Sequence, residues 1–320
     1  MSEEVSPNLF RIQIPLPDNP LKFVNSYVIK GPDQTLVVDT GLNREECLAA
    51  MKAGLKELAV ELDRVAFFIT HLHADHFGLV ARLAARPDQI YFSRPETEII
   101  ESWTGWEPMV QYAARNGFPE DLLRAALNSH PGYKYSAGWV PGMKILSDGD
   151  PIDIGDYHFV CVVTPGHTRG HICLYEPRKK ILISGDHVLG DITPNIQCWS
   201  DVEDPLKDYL ASLDKVGRLE VDLTLPGHRS LIHDLYHRIE ELKEHHHHRA
   251  DEVLTILRHG PRHAFDTAAG MTWDLAGAWD DFPLAQKWFA TAEATAHLRY
   301  LEEAGEVYRE TGEGKIIYHC

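Results

Sequence analysis

Four side chains within six consecutive positions of this chain can each bind a divalent cation: His71, His73, Asp75 and His76, in the run HLHADH. Imidazole nitrogen and carboxylate oxygen are the donors that ions such as Zn²⁺ accept, at about 2.0–2.2 Å, and bonds that short require the donors to be clustered. A segment that leaves a strand and enters a helix fans its side chains out from one tight turn, so this run could serve two ions. Three later positions offer the same donor types: His167 in Thr164-Pro165-Gly166-His167, Asp186 in Ser184-Gly185-Asp186, and His228 in Leu225-Pro226-Gly227-His228. Each follows a strand-like run and sits beside a glycine that permits a sharp turn. Any one of them alone reads as a surface residue or a satisfied core residue. The recurrence of the same context three times is what core packing does not explain.

Donors placed in this way need strand ends to launch them. Alternation of apolar and polar residues through 9–16, 23–29 and 35–38, with turns at Pro17-Asp18-Asn19-Pro20 and Gly31-Pro32-Asp33, predicts antiparallel strands. Asn43 caps a helix-period stretch that runs to about residue 60, and the apolar run RVAFFIT at 64–70 predicts a buried strand that delivers the chain to His71. A helix over 77–85 and a strand over 89–93 follow. From about 94 to 143 the pattern turns helical and aromatic, with Trp103, Trp106, Tyr112, Phe118, Tyr133, Tyr135 and Trp139, and this stretch reads as an insertion. It could form a lid that creates an apolar pocket over the site, or equally a helical hairpin in a dimer interface. Strands resume at 151–154, 157–164, 171–176, 180–184 and 223–226, with helices at 204–216 and from 232 to about 259. The tail has helices near 249–259 and 283–304, then a hairpin around Thr311-Gly312-Glu313-Gly314. Two domains are expected, residues 1–244 and 245–320.

The bulk composition narrows the function classes. With 44% apolar and 25% charged residues, the chain resembles an average globular protein and can bury a sizeable core. The opening MSEEVSPNLFRIQIPLP is acidic where a secretory signal is basic, and no apolar run approaches a membrane span, so a cytoplasmic protein without membrane contact is expected. The cysteines, Cys47, Cys161, Cys173, Cys198 and Cys320, are odd in number and show no C-x-x-C pattern, so they read as free thiols. The net charge of −17 would repel a polyanion, which disfavours nucleic acid as a partner. Residues 249–320 carry 7 Lys plus Arg against 12 Asp plus Glu, a difference of −5, so the tail suits packing or homodimer formation better than phosphate binding. Four consecutive histidines, His245–His248, face different directions on a helix and cannot share one ion, and they read as a solvated surface.

The motifs THLHADH, TPGHTRGH, SGDH and LPGH, in this order over roughly residues 20–235, resemble the metal-binding motifs of the metallo-β-lactamase superfamily. The resemblance implies an αββα sandwich of the α/β class, two mixed sheets with helices outside, followed by a small winged-helix-like C-terminal domain. It further implies one ion on His71, His73 and His167, another on Asp75, His76 and His228, and Asp186 between them. Asp186, where β-lactamases often carry cysteine, points to the glyoxalase II-, lactonase- and nuclease-like branches. Two zinc ions are expected, although iron or manganese suits the same donors. Such a pair lowers the pKa of a shared water from 15.7 toward about 7, so no Ser or Cys nucleophile is required; Asp75 and Asp186 belong to that catalytic centre. Asp39, in Val38-Asp39-Thr40-Gly41, resembles the superfamily's acidic residue beneath the site, which orients a ligand; a turn-forming aspartate is the plain alternative. His171 and His187 adjoin ligands and read as structural. The expected activity is hydrolysis of a small ester, thioester or lactone. A ribonuclease-like phosphodiesterase and a non-enzymatic regulatory winged-helix binding protein are the alternatives.

Overall fold

In the computed structural model, which describes residues 2–135 and 142–320, the alternating segments form strands within one or two residues of where the pattern places them. The chain opens with β1 (Ser2–Ser6), β2 (Leu9–Pro15), β3 (Phe23–Lys30) and β4 (Thr35–Val38), then α1 (Glu45–Glu57) and β5 (Val65–Phe68). Next come α2 (Ala74–Phe77), α3 (Val80–Leu83), β6 (Ile90–Ser93), α4 (Arg94–Glu101), α5 (Glu107–Arg115), α6 (Glu120–Ser129), α7 (Pro131–Tyr135) and β7 (Lys144–Leu146). The remainder is β8 (Pro151–Ile154), β9 (Tyr157–Val163), β10 (Ile172–Glu176), β11 (Ile181–Gly185), α8 (Pro205–Val216), β12 (Leu223–Pro226), α9 (Leu235–Leu257), α10 (Ala264–Gly270), α11 (Leu284–Glu303), β13 (Tyr308–Gly312) and β14 (Lys315–His319).

β1 to β7 lie in chain order in a seven-stranded sheet, and β12-β11-β10-β9-β8 form a five-stranded one. Both are mixed: β4 to β7 run parallel after an antiparallel meander, and β11 pairs parallel with β12 in an otherwise antiparallel sheet. Side chains alternate across a strand, so each central strand feeds two cores. Val37 and Phe67 point to a core shared with Leu48, Met51 and Leu55 of α1 and with Phe77 and Val80. Their neighbours Leu36, Val38, Ala66 and Phe68 point the other way, to meet Phe159, Cys161, Leu174, Ile183 and Leu225 of the second sheet. β4 and β5 are therefore buried on both faces, which is why they read as continuous apolar runs. These are the face-to-face sheets of the expected sandwich.

The helix expected over 77–85 is instead the two short helices α2 and α3, which break at Gly78. Leu79 donates to Gly41 O at 3.0 Å rather than back along its own helix. A Cβ on Gly78 would lie 2.8 Å from both Asn43 N and Gly41 O, so backbone approaches backbone too closely for a side chain. β1 escapes the pattern because SEEVS has no apolar alternation, and β7 because it has only three residues. The cysteines are unpaired, four buried and Cys320 exposed. Among the described residues no helix is long and apolar enough to cross a membrane.

The chain divides into two compact units: residues 1–102, 135–194 and 214–238, and residues 103–134, 195–213 and 239–320. The first contains both sheets. In the second, the insertion packs against the tail, where Phe118 meets Phe265 and Trp288; Trp199, outside the insertion, also packs on Trp288 at 4.8 Å between ring centroids. α4 and Tyr135 are exceptions, since they belong to the first unit, where Tyr135 packs against the core shared with α1; Trp139 lies outside the described residues. The reading of His245–His248 as a solvated surface holds for His247 and His248 but is wrong for His246. His246 is 1% exposed and stacks on His297, its Nδ1 3.2 Å from the His297 Nε2. In a run of four helical residues one must face inward, and here that inward position meets a second histidine. Burial holds both imidazoles below their ordinary pKa, that of His297 at about 3.

Phe159, fully buried between the sheets, tests this packing. Phe159→Ala should lower unfolding stability by ~3–5 kcal/mol in urea denaturation, whereas a loss under about 1 kcal/mol would mean that the ring is not part of a close-packed core.

Candidate metal centre

The site residues leave strand ends on both sheets. His71, His73, Asp75 and His76 follow β5 in the seven-stranded sheet, while His167, Asp186 and His228 follow β9, β11 and β12 in the other. All seven converge. Three triads have ligating atoms within 4.8 Å of one another: His71, His73 and His167; His71, His76 and Asp186; Asp75, His76 and His228. Asp186 Oδ2 faces both sides of the cluster, at 3.5 Å from His76 Nε2, 3.4 Å from His228 Nε2 and 3.7 Å from His167 Nε2. His73 Nδ1 and His167 Nε2 are 3.0 Å apart, and Asp75 Oδ2 is 3.4 Å from His228 Nε2.

Three of the histidine donors are aimed by a group behind them. Asp39, 1% exposed, places Oδ2 2.7 Å from His76 Nδ1, and its Oδ1 accepts the Thr70 N–H at 2.9 Å. Asp39 also sits at φ 59°, in the left-handed region that aspartate tolerates better than most residues, so the orienting and turn-forming readings both describe it. His228 Nδ1 donates to Phe23 O at 2.7 Å, and His71 Nδ1 lies 2.9 Å from Thr70 Oγ1. In all three histidines the partner on Nδ1 leaves Nε2 facing the cluster, as a ligating imidazole requires. The inner atoms fit an ion: His71 Nε2 and Asp186 Oδ1 are buried without a hydrogen-bond partner, a costly state that coordination would relieve. Gly227 leaves room for this, because a Cβ there would come within 2.4 Å of Asp186 Oδ1.

Sequence reasoning missed Asn25 and Tyr27. The Asn25 side-chain amide donates to Pro226 O and Arg229 O, each at 3.0 Å, and the Tyr27 hydroxyl donates to Pro226 O at 2.8 Å. Together they fix the turn that carries His228. The signal available was two polar residues in an otherwise apolar strand, NSYVI. His171, expected to be structural, accepts the Asp186 N–H on Nε2 at 3.2 Å while Nδ1 meets Thr164 Oγ1 at 2.8 Å. His187 is buried, its ring centroid 6.0 Å from that of His171.

Burial and mutual repulsion among imidazoles hold His71 and His73 below their ordinary pKa, His73 at about 3. For His228 burial also acts downward, yet the Asp186 and Asp75 carboxylates outweigh it and lift the group to about 10. His76 is raised too: burial opposes, and Asp186, Asp39 and Asp75 prevail. The two Nε2 atoms are 3.3 Å apart, so a proton on one occupies the space between them. Conversely, burial would raise Asp75 and Asp186, but the neighbouring His76 and His228 hold both below the usual carboxylate range.

The metallo-beta-lactamase superfamily model matches residues 19–228, and a model of the metallo-beta-lactamase-like C-terminal domain matches residues 250–319. The chain belongs to the metallo-beta-lactamase superfamily, and it is a metallohydrolase. It is 27% identical over 91% of its length to the "Probable metallo-hydrolase YqjP" of Bacillus subtilis, also over 91% of that protein. With the "Acyl-coenzyme A thioesterase MBLAC2" of Bos taurus it shares 27% identity over 64% of this chain and 72% of that one. A metallo-beta-lactamase family protein from Thermus thermophilus is similar in structure over 99% of both chains, with a TM-score of 0.82 and 29% identity.

A metal ion entering the cluster must displace the proton that the carboxylates hold on His228 and His76. Because His228 is raised, metal-free protein carries that proton below about pH 10, and apparent Zn²⁺ affinity should fall ~tenfold per pH unit per proton as pH drops from roughly 8 to 6. Calorimetric titration in buffers of different ionisation enthalpy measures the release directly. Uptake with no proton released at neutral pH would refute this account of the cluster.

Proposed function

We propose that the chain hydrolyses a small thioester, ester or lactone with two metal ions, most simply zinc, and that thioesters are the first class to test. The observation that supports this is the pair of outer triads, His71, His73, His167 and Asp75, His76, His228, with Asp186 Oδ2 between them. An imidazole and carboxylate donor set without thiolate suits zinc and also admits iron or manganese. Bound there, such ions supply a water acidified toward neutral pH and an electrophilic hold on the substrate oxygen.

The chain's own residues do the rest. Asp39 and Thr70 hold His76 and His71 in the tautomers that turn Nε2 inward. The Asp75 and Asp186 carboxylates, facing the histidine donors, are the acceptors for a proton released from attacking water. Asp75, its side chain 18% exposed against 9% for Asp186, is the one open to a substrate arriving from solvent. Water adds to the carbonyl carbon, the bond to sulfur or oxygen breaks, and the products are a carboxylic acid and a thiol or alcohol. The preference for a thioester rests on similarity to the acyl-coenzyme A thioesterase. The net charge of −17 and the acidic tail weigh against an RNA substrate and against a DNA-binding role.

His73→Ala and Asp186→Ala should each lower kcat/KM for a short acyl thioester by at least ~100-fold, with far-UV circular dichroism unchanged. Full activity in either variant, or metal-loaded protein that cleaves single-stranded RNA but no thioester, ester or lactone, would overturn the proposal.

A further inference from the structure

The turns bearing His228 and Asp186 are each latched by a buried side chain, and Asp39 does the same for the His71–His76 segment. The segment carrying His167 is held differently. Glu96, in the first turn of α4, is 0% exposed. Its Oε1 accepts from the Thr168 hydroxyl and from the Gly170 N–H, the latter at 3.1 Å. α4 follows β6, which pairs with β5, the strand that leads into His71 and His73. The backbone also fits closely: a Cβ on Gly170 would lie 2.6 Å from Ser93 Oγ and 2.7 Å from Glu96 N, so the 168–170 segment lies directly on the start of the helix.

A buried carboxylate is costly, since desolvation disfavours its charge. Burial pushes Glu96 up to about 7 against the pull of the Thr168 hydroxyl and the Gly170 N–H. An apolar residue could fill the same volume at less cost, so what the carboxylate adds is its grip on those donors. We infer that Glu96 is a positioning residue that ties the His167 segment to the start of α4, directly after β6 and so beside β5, the strand that delivers His71 and His73, and thereby holds His167 opposite His73. The inference rests on the metal-site reading above, but the clamp itself exists without a metal.

The test uses the whole chain as Glu96→Ala, Glu96→Gln and Thr168→Val. In metal-free protein, hydrogen exchange of the peptide spanning 165–171 should quicken at least ~tenfold in Glu96→Ala, while exchange in the β2 peptide, the reporter of global folding, stays at the parent rate. Glu96→Gln retains an acceptor for Thr168 and Gly170 and should stay near the parent. Thr168→Val, which removes one donor, should fall between the two. In chelator-competition titrations with Zn²⁺, Glu96→Ala should bind one ion ~10–100-fold more weakly, and kcat for the thioester should fall with KM little changed. Unchanged exchange at 165–171 in Glu96→Ala would overturn the inference whatever the metal does, as would Glu96→Gln behaving like Glu96→Ala. A parent that fails to bind two ions would refute the dinuclear reading instead and leave the exchange result to judge the clamp.

Discussion

Electron-rich atoms do not stay crowded in a buried space unless positive charge lies among them. The cluster puts imidazole nitrogens and carboxylate oxygens 3.0–3.7 Å apart, and the groups around it are arranged to keep them there. Asp39 fixes His76, the carbonyl of Phe23 fixes His228, and the amide of Asn25 fixes the turn beneath it. Without metal, protons held by the carboxylates on His76 and His228 provide the positive charge. Divalent ions would supply more charge and accept several lone pairs at once, so residues that crowd one another as neighbours could cooperate as ligands.

The donors are legible in the sequence because they are local: HLHADH is one turn, and the other three share a strand-then-glycine context. The strands are legible because burial on one face enforces a period of two, and β4 and β5 because burial on both faces leaves no polar position. What the sequence hides depends on partners far along the chain. Asn25 meets Pro226 and Arg229 across some two hundred positions, and the polar pair in NSYVI marks the strand without telling which turn it serves. Glu96 sits in RPETEII, an ordinary helix start, and only the fold places the 168–170 segment on it. His246 escapes because a run of four identical residues contains no pattern from which to choose the inward one.

The second unit illustrates a different constraint. Its aromatic residues pack in two clusters, one around Phe118 and Trp288 and one with Tyr318, and the buried polar groups include His246 on His297, and Glu293 reached by Arg249 at 3.5 Å and by Asn195 at 2.9 Å. Burial raises Glu293 to about 7 despite Arg249. Polar groups without solvent must find complementary partners, and this restricts α9 and α11 to one mutual register far more than apolar packing alone would.

Because the donors come off both sheets, an ion held among them is also a cross-link between the two halves of the sandwich. Its contribution to folding follows mass action, about 2.7 kcal/mol when free metal stands at roughly a hundred times its dissociation constant. Resistance to heat and proteolysis would then be tied to metal supply, and a chelator would act on the architecture as well as on the chemistry.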